Sequence, residues 1–192
     1  MKSIPAIQRS GIRELARGFT LVELLMVVAI IAILCGASVP AMTNLIRSAA
    51  LTSATNDLFA SFTLARSEAV KRNSRVVVCK SNNGASCATA GGWEQGWIVF
   101  HDSNNNGTRE AGEHLVQHTQ ALSSDLRLSG NLNVSRYVSY AASGSAKLSS
   151  GAFQAGTITL CNVSTRATDA RQIIMNSSGR PRVQKTPVAS CA

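Results

Sequence analysis

Gly179-Arg180-Pro181-Arg182, with Lys185 close behind, is the stretch of this 192-residue chain best suited to holding a ligand. In extended backbone, residues i and i+2 project to one side about 6–7 Å apart. Arg180 and Arg182 would therefore offer paired guanidiniums at the spacing of neighbouring phosphates on a nucleic-acid strand, and arginine forks grip phosphate oxygens bidentately. Gly179 lets backbone approach closely, while Pro181 fixes the angle between the arginines and limits the entropy lost on binding. The surrounding tail is basic, with Arg166, Arg171, Arg180, Arg182 and Lys185 facing only Asp169. The competing reading is an ordinary solvated hairpin turn.

Glu23 stands alone as a carboxylate inside an apolar run that reaches from Phe19 to Val39. A charge in a segment suited to a bilayer is costly unless something pairs with it. A buried carboxylate and a buried ammonium are tolerable together. Further on, Asp102, Asn104, Asn106, Gly107 and Glu113 match the first, third, fifth, sixth and twelfth positions of a calcium loop. That loop would lie between helices, whereas this stretch lies between two strand-like segments, and Arg109 takes a position usually apolar. An Asn/Gly-rich turn that accepts left-handed backbone angles is the favoured account, and calcium the weaker one.

His114 and His118 would share one face of a strand, yet zinc needs two more ligands and no spacing supplies them. Trp93 and Trp97 could stack on exposed bases, although core packing suits them better. The sequence contains no nucleophile elbow, phosphate loop, paired-carboxylate signature or cofactor fingerprint. It therefore reads as a non-enzyme with no cofactor.

A long helix and a β-rich domain must position these residues. The pattern predicts one helix from Phe19 to about Asn73, of which residues 19–39 span about 30 Å, enough to cross a membrane. Pro40 should kink it. Beyond, Leu51, Leu58, Phe62, Ala65 and Ala69 form one apolar stripe that needs a surface to lie on. Residues 74–192 supply it. Short alternating segments at 75–80, 96–101, 114–120, 125–128, 132–140, 157–162, 171–176 and 181–185 read as antiparallel strands, and 141–155 as a mobile loop. The fold class is α+β, a long N-terminal helix packed on a C-terminal antiparallel sheet domain.

The formal charge is +9, of which residues 1–18 hold +3 through Lys2, Arg9, Arg13 and Arg17 against Glu14. Positive residues before an apolar span predict a cytoplasmic amino end and an exported carboxyl domain. An exported basic domain suits acidic partners. Cys35 lies in the apolar run and reads as a small buried side chain. The other four cysteines fall where oxidation is allowed and admit three pairings. Cys79 with Cys87 and Cys161 with Cys191 is the favoured set, against the alternative of four free thiols.

Gly18-Phe19-Thr-Leu-Val-Glu23, followed by the apolar run and Pro40, resembles the prepilin signature of type IV pilins and type II secretion pseudopilins. The resemblance implies a leader, 1–18, cut between Gly18 and Phe19 by prepilin peptidase, with N-methylation of Phe19. It also implies that Glu23 pairs with the terminal amine of a neighbouring pilin subunit during assembly. The Trp97-Ile-Val-Phe-x-Asp102-x-Asn-x-Asn-Gly pattern is similar to the GspH/FimT-type minor pilins. Gly-Arg-x-Arg near the carboxyl end resembles the DNA-contacting motif of FimT-like members that serve DNA uptake in natural transformation. The implied DNA-binding set is Gly179, Arg180, Arg182 and Lys185. The implied location is the inner membrane before assembly, then the periplasm and a cell-surface pilus. A structural minor pilin or secretion pseudopilin without DNA binding is the alternative.

Overall fold

A computed structural model describes residues 18–191, apart from the side chains of residues 37–41. Helix α1 runs Leu21–Arg72. Thr20 caps its start, Oγ1 accepting the Glu23 N–H at 3.3 Å, so Thr20 and Glu23 have the spacing of a capping box. Its end is closed by Asn73 at φ 50. There Asn73 N–H donates to Val70 O at 3.3 Å and Ser74 N–H to Ala69 O at 3.2 Å, the two bonds of a Schellman cap.

Contacts divide the chain into compact units at 1–44 and 45–192. In the first, every described apolar side chain from Phe19 to Leu34 is exposed, and Cys35, expected to be buried, is a free exposed thiol. Among the described residues no helix is long and apolar enough to cross a membrane. The side chains described in the run expected to span one end at Gly36. The expected leader lies, up to residue 17, outside the described residues, and α1 continues as helix through Pro40.

The second unit adds two four-stranded antiparallel sheets. Strands β1 (Val76–Lys80), β2 (Trp97–His101), β3 (Leu115–Thr119) and β5 (Tyr137–Tyr140) pair in the order β3-β2-β1-β5. Strands β4 (Leu126–Gly130), β6 (Gly156–Asn162), β7 (Thr168–Met175) and β8 (Pro181–Val188) pair in the order β4-β6-β7-β8. The helical stripe Leu51, Leu58, Phe62, Ala65 and Ala69 is buried in one core with Val76, Val78, Trp93, Trp97, Leu128, Leu160 and Ile173. Period two sends Val77 and Cys79 to the opposite face of β1, where they pack with Ile98 and Phe100. The α+β class and the helix-on-sheet arrangement are as the sequence predicts.

Two elements differ from expectation. Residues 132–140 are not one strand: a 3₁₀ turn, Leu132–Val134, precedes β5. The turn drives Val134 into the core and aims its carbonyl at Trp93 Nε1–H, 3.1 Å away. Residues 141–155 are an organised loop, not a loose one. Gln154 is fully buried; its Oε1 accepts Ser139 N–H, and its Nε2 donates to Asn133 O and Tyr137 O, at 2.7–2.9 Å. Isolated bridges Tyr140–Ala146 and Lys147–Phe153 complete it. Cys79 is bonded to Cys87, and Cys161 to Cys191.

Candidate nucleic-acid interface

The turn between β7 and β8 carries the arginine pair. Gly179 N–H donates to Asn176 O at 3.0 Å, and Asn176 Oδ1 accepts Ser178 Oγ–H at 2.7 Å and Arg180 N–H at 3.3 Å. Gly179 is buried at φ +73, and a Cβ there would collide with Gly144 O. Only glycine fits that angle and that contact without strain. The organised loop docks on the same turn, with Ala146 N–H donating to Ser177 O at 3.3 Å. Helix α1 braces the loop in its turn, since Arg66 Nε donates to Gly144 O at 2.9 Å. The turn is held by backbone packing against residues remote in sequence.

Arg180 and Arg182 leave this turn exposed, as is Lys185. Arg182 pairs across the ladder with Ile174, and Lys185 with Arg171. Residues three apart on a strand face opposite ways, so Lys185 does not join Arg182 on one surface. Among the described residues, the ion pairs within 4.0 Å all converge on Glu68, from Lys71, Arg72 and His101. The tail cations have no acid at that range. Residues 19–120 balance seven cations with seven acids. From Ala121 on, eight cations face only Asp125 and Asp169, so the +6 of residues 19–192 sits in this half.

The tail is tied down separately. Ser164 and Cys191 exchange backbone hydrogen bonds of 2.9 and 2.7 Å beside the Cys161–Cys191 bridge.

The remaining candidates take structural roles. Asp102 is 1% exposed and turns its carboxylate onto its own loop, accepting Asn106 N–H at 3.0 Å and Gly107 N–H at 2.8 Å. Burial raises its pKa, and those two bonds oppose the rise. Glu113 accepts Ser103 N–H at 2.9 Å and Glu110 N–H at 3.1 Å. Asn104 and Asn106 donate from Nδ2 to Glu110 at 3.0 and 2.9 Å, and the Arg109 guanidinium bonds Ala85 O and Glu113 O. In this structure the oxygens of Asp102, Asn104, Asn106 and Glu113 accept N–H groups of the loop itself, and the segment is a self-closed turn between β2 and β3. Among the described residues no group of three or more His, Cys, Asp or Glu side chains is placed to hold a metal. His118 is exposed on β3, while His114 lies against His101 with ring centroids 5.8 Å apart.

Trp93 and Trp97 are fully buried, Trp97 Nε1–H bonding Ser61 Oγ at 2.9 Å. Sequence reading missed the Glu68–His101 contact that joins α1 to β2, because no local spacing announces it. It also missed the capping role of Thr20, whose Oγ1 accepts the Glu23 N–H and which the Thr20-x-x-Glu23 spacing does announce.

The profile of the type II transport protein GspH family matches residues 54–179. The chain belongs to that family. A prokaryotic N-terminal methylation motif matches residues 15–39. Among solved structures, the type IV minor pilin FimU of Pseudomonas aeruginosa PAO1 is similar at TM-score 0.53 and 17% identity, covering 74% of this chain and 95% of that one. A second FimU crystal form gives 0.52 at 17% identity, with 74% and 100% covered. The minor pseudopilin EpsH from the type 2 secretion system of Vibrio cholerae gives 0.48 at 10% identity, with 70% and 95% covered. The FimU likeness shows the shared fold. Comparison with curated proteins finds no match. The chain is thus a member of the type II transport protein GspH family that also carries an N-terminal methylation motif. Arg180, Arg182 and Lys185 lie beyond the GspH match, so family membership by itself says nothing of them.

Proposed function

We propose that this GspH-family subunit is a minor type IV pilin that binds DNA without sequence preference during DNA uptake. Prepilin peptidase cuts after Gly18 and Phe19 is methylated. The apolar run 19–39 then holds the subunit in the inner membrane until assembly, with the β domain outside. Glu23, one helical turn from the new terminus, pairs with the amine of a neighbouring subunit. The methylation motif at 15–39 supports this processing.

The observation that carries the DNA reading is the locked turn: Gly179 is wedged against Gly144, and Arg180 and Arg182 project from it exposed, with no acid within 4.0 Å among the described residues. Such guanidiniums bind phosphate oxygens with little ordering cost. Phosphate contacts position DNA and do not read its bases. Several subunits in one fibre would hold DNA by avidity where one binds weakly.

The test uses the fragment 45–192, which holds every buried core residue and both disulfides. Duplex binding measured across a salt series should show a log–log slope of about −1.8 or steeper, for the two phosphates held by Arg180 and Arg182. Arg180→Gln/Arg182→Gln should remain folded and lose most of that binding. Equal, salt-independent behaviour of wild type and variant would leave a structural pilin or pseudopilin without DNA binding.

A further inference from the structure

Strand β8 is the free edge of its sheet, and it carries cations on both faces. Arg182 points to one face beside Ile174. On the other face one row crosses the sheet as Leu128, Leu160, Arg171 and Lys185. The first two are fully buried, Arg171 is half-buried and Lys185 is exposed. Arg171 and Lys185 are direct cross-strand partners. Such side chains stand about 4.5–5.5 Å apart at Cβ, and like charges placed so are destabilising. Asp169 lies on the same face, two residues along β7 from Arg171, yet makes no ion pair within 4.0 Å among the described residues. A like-charge pair at the edge of a sheet, with no ion pair within 4.0 Å among the described residues, is the arrangement that a bound anion would relieve.

We propose that Arg171 and Lys185 form a second phosphate subsite, so that a nucleic-acid backbone runs along the edge of β8 and is gripped from both faces. This rests on the DNA-binding reading above and extends it to a residue outside the Gly-Arg-Pro-Arg stretch. Arg182 and Lys185 are separated by about 10 Å along the strand, which places the two grips on successive parts of one thin polymer. A flat anionic membrane would meet the cations of only one face. Another β-strand is disfavoured at this edge as well, because Pro181 and Pro187 lack N–H donors and the edge is charged.

The experiment compares fragment 45–192 as wild type, Arg180→Gln/Arg182→Gln, Arg171→Gln/Lys185→Gln, and a control, Lys147→Gln/Arg166→Gln, that removes the same formal charge elsewhere. Binding of a labelled single-stranded oligonucleotide is followed by fluorescence anisotropy across a salt series, and each protein is melted without DNA. Loss of two phosphate contacts on a single strand should flatten the log–log slope by about 1.4 and weaken binding about 25-fold at 0.1 M salt. Arg171→Gln/Lys185→Gln should show that change, and its melting temperature should hold or rise as the repulsion is removed. A slope no flatter than the control's, or a lower melting temperature, would overturn the second subsite and leave the arginine turn standing. Absence of wild-type binding would overturn both.

Discussion

His101 shows how one residue links the helix to the first sheet and makes stability depend on pH. Its side chain is 12% exposed, Nε2 has no hydrogen-bond partner among the described residues, and Glu68 lies 3.8 Å away. Burial is the main cause of a pKa below the ordinary 6.5; Arg72 and His114 add to the lowering, and Glu68 works against it. A depressed histidine binds its proton more readily in the unfolded chain. Its contribution is therefore intact above pH 6.5 and is lost as pH falls through the folded value. Glu68 is lowered too, chiefly by its bond to Arg72, and its contribution is lost only below the ordinary 4.5. Between pH 7.5 and 5.5 the wild-type melting temperature should fall, and His101→Gln should flatten the fall. Thermal melts followed by circular dichroism measure both, and an unchanged slope in the variant would remove His101 as the source.

Among the elements, the loop 141–155 is the most exposed to a single change. Gln154 bridges the 3₁₀ turn and β5 through three hydrogen bonds, one of them to the buried Ser139 N–H. Gln154→Ala strands that donor, at a cost of about 2 kcal/mol, or roughly 4–8 °C in a unit of this size. A thermal melt of the fragment 45–192 reads this directly; a shift under 1 °C would mean that the loop stands without it. The sequence concealed this element because Ala, Gly and Ser composition reports local freedom, whereas the restraints arrive from Arg66, 78 residues before Gly144. The helix was legible for the opposite reason. Leu51, Leu58, Phe62, Ala65 and Ala69 sit at helical spacing, and that period survives in the core. The arginine turn was legible as Gly-Arg-Pro-Arg. The brace behind Gly179 was not, since it depends on a contact with Gly144. Period two already separates Lys185 from Arg182, a conclusion that treating the basic tail as one patch obscured.

At the scale of the whole molecule, charge and restraint are distributed differently. Outside residues 1–18 the excess positive charge lies beyond Ala121, and the Cys161–Cys191 bridge closes 30 residues of that half around β7, the arginine turn and β8. In the chain-entropy account, a closure of this length contributes about 3–4 kcal/mol. It would be natural to credit the bridge with shaping the binding turn, but the contacts say otherwise. Gly179 rests on Gly144, Ser177 accepts from Ala146, and Arg66 holds Gly144, with neither cysteine involved. Stability and binding should therefore separate. Cys161→Ser/Cys191→Ser should lower the midpoint of urea unfolding by an amount worth about 3–4 kcal/mol. At temperatures where the variant stays folded, its affinity for DNA and its salt slope should match the wild type's. If the slope flattens as well, the disulfide and not the docked loop sets the geometry of Arg180 and Arg182, and the site depends on the oxidation state of the tail.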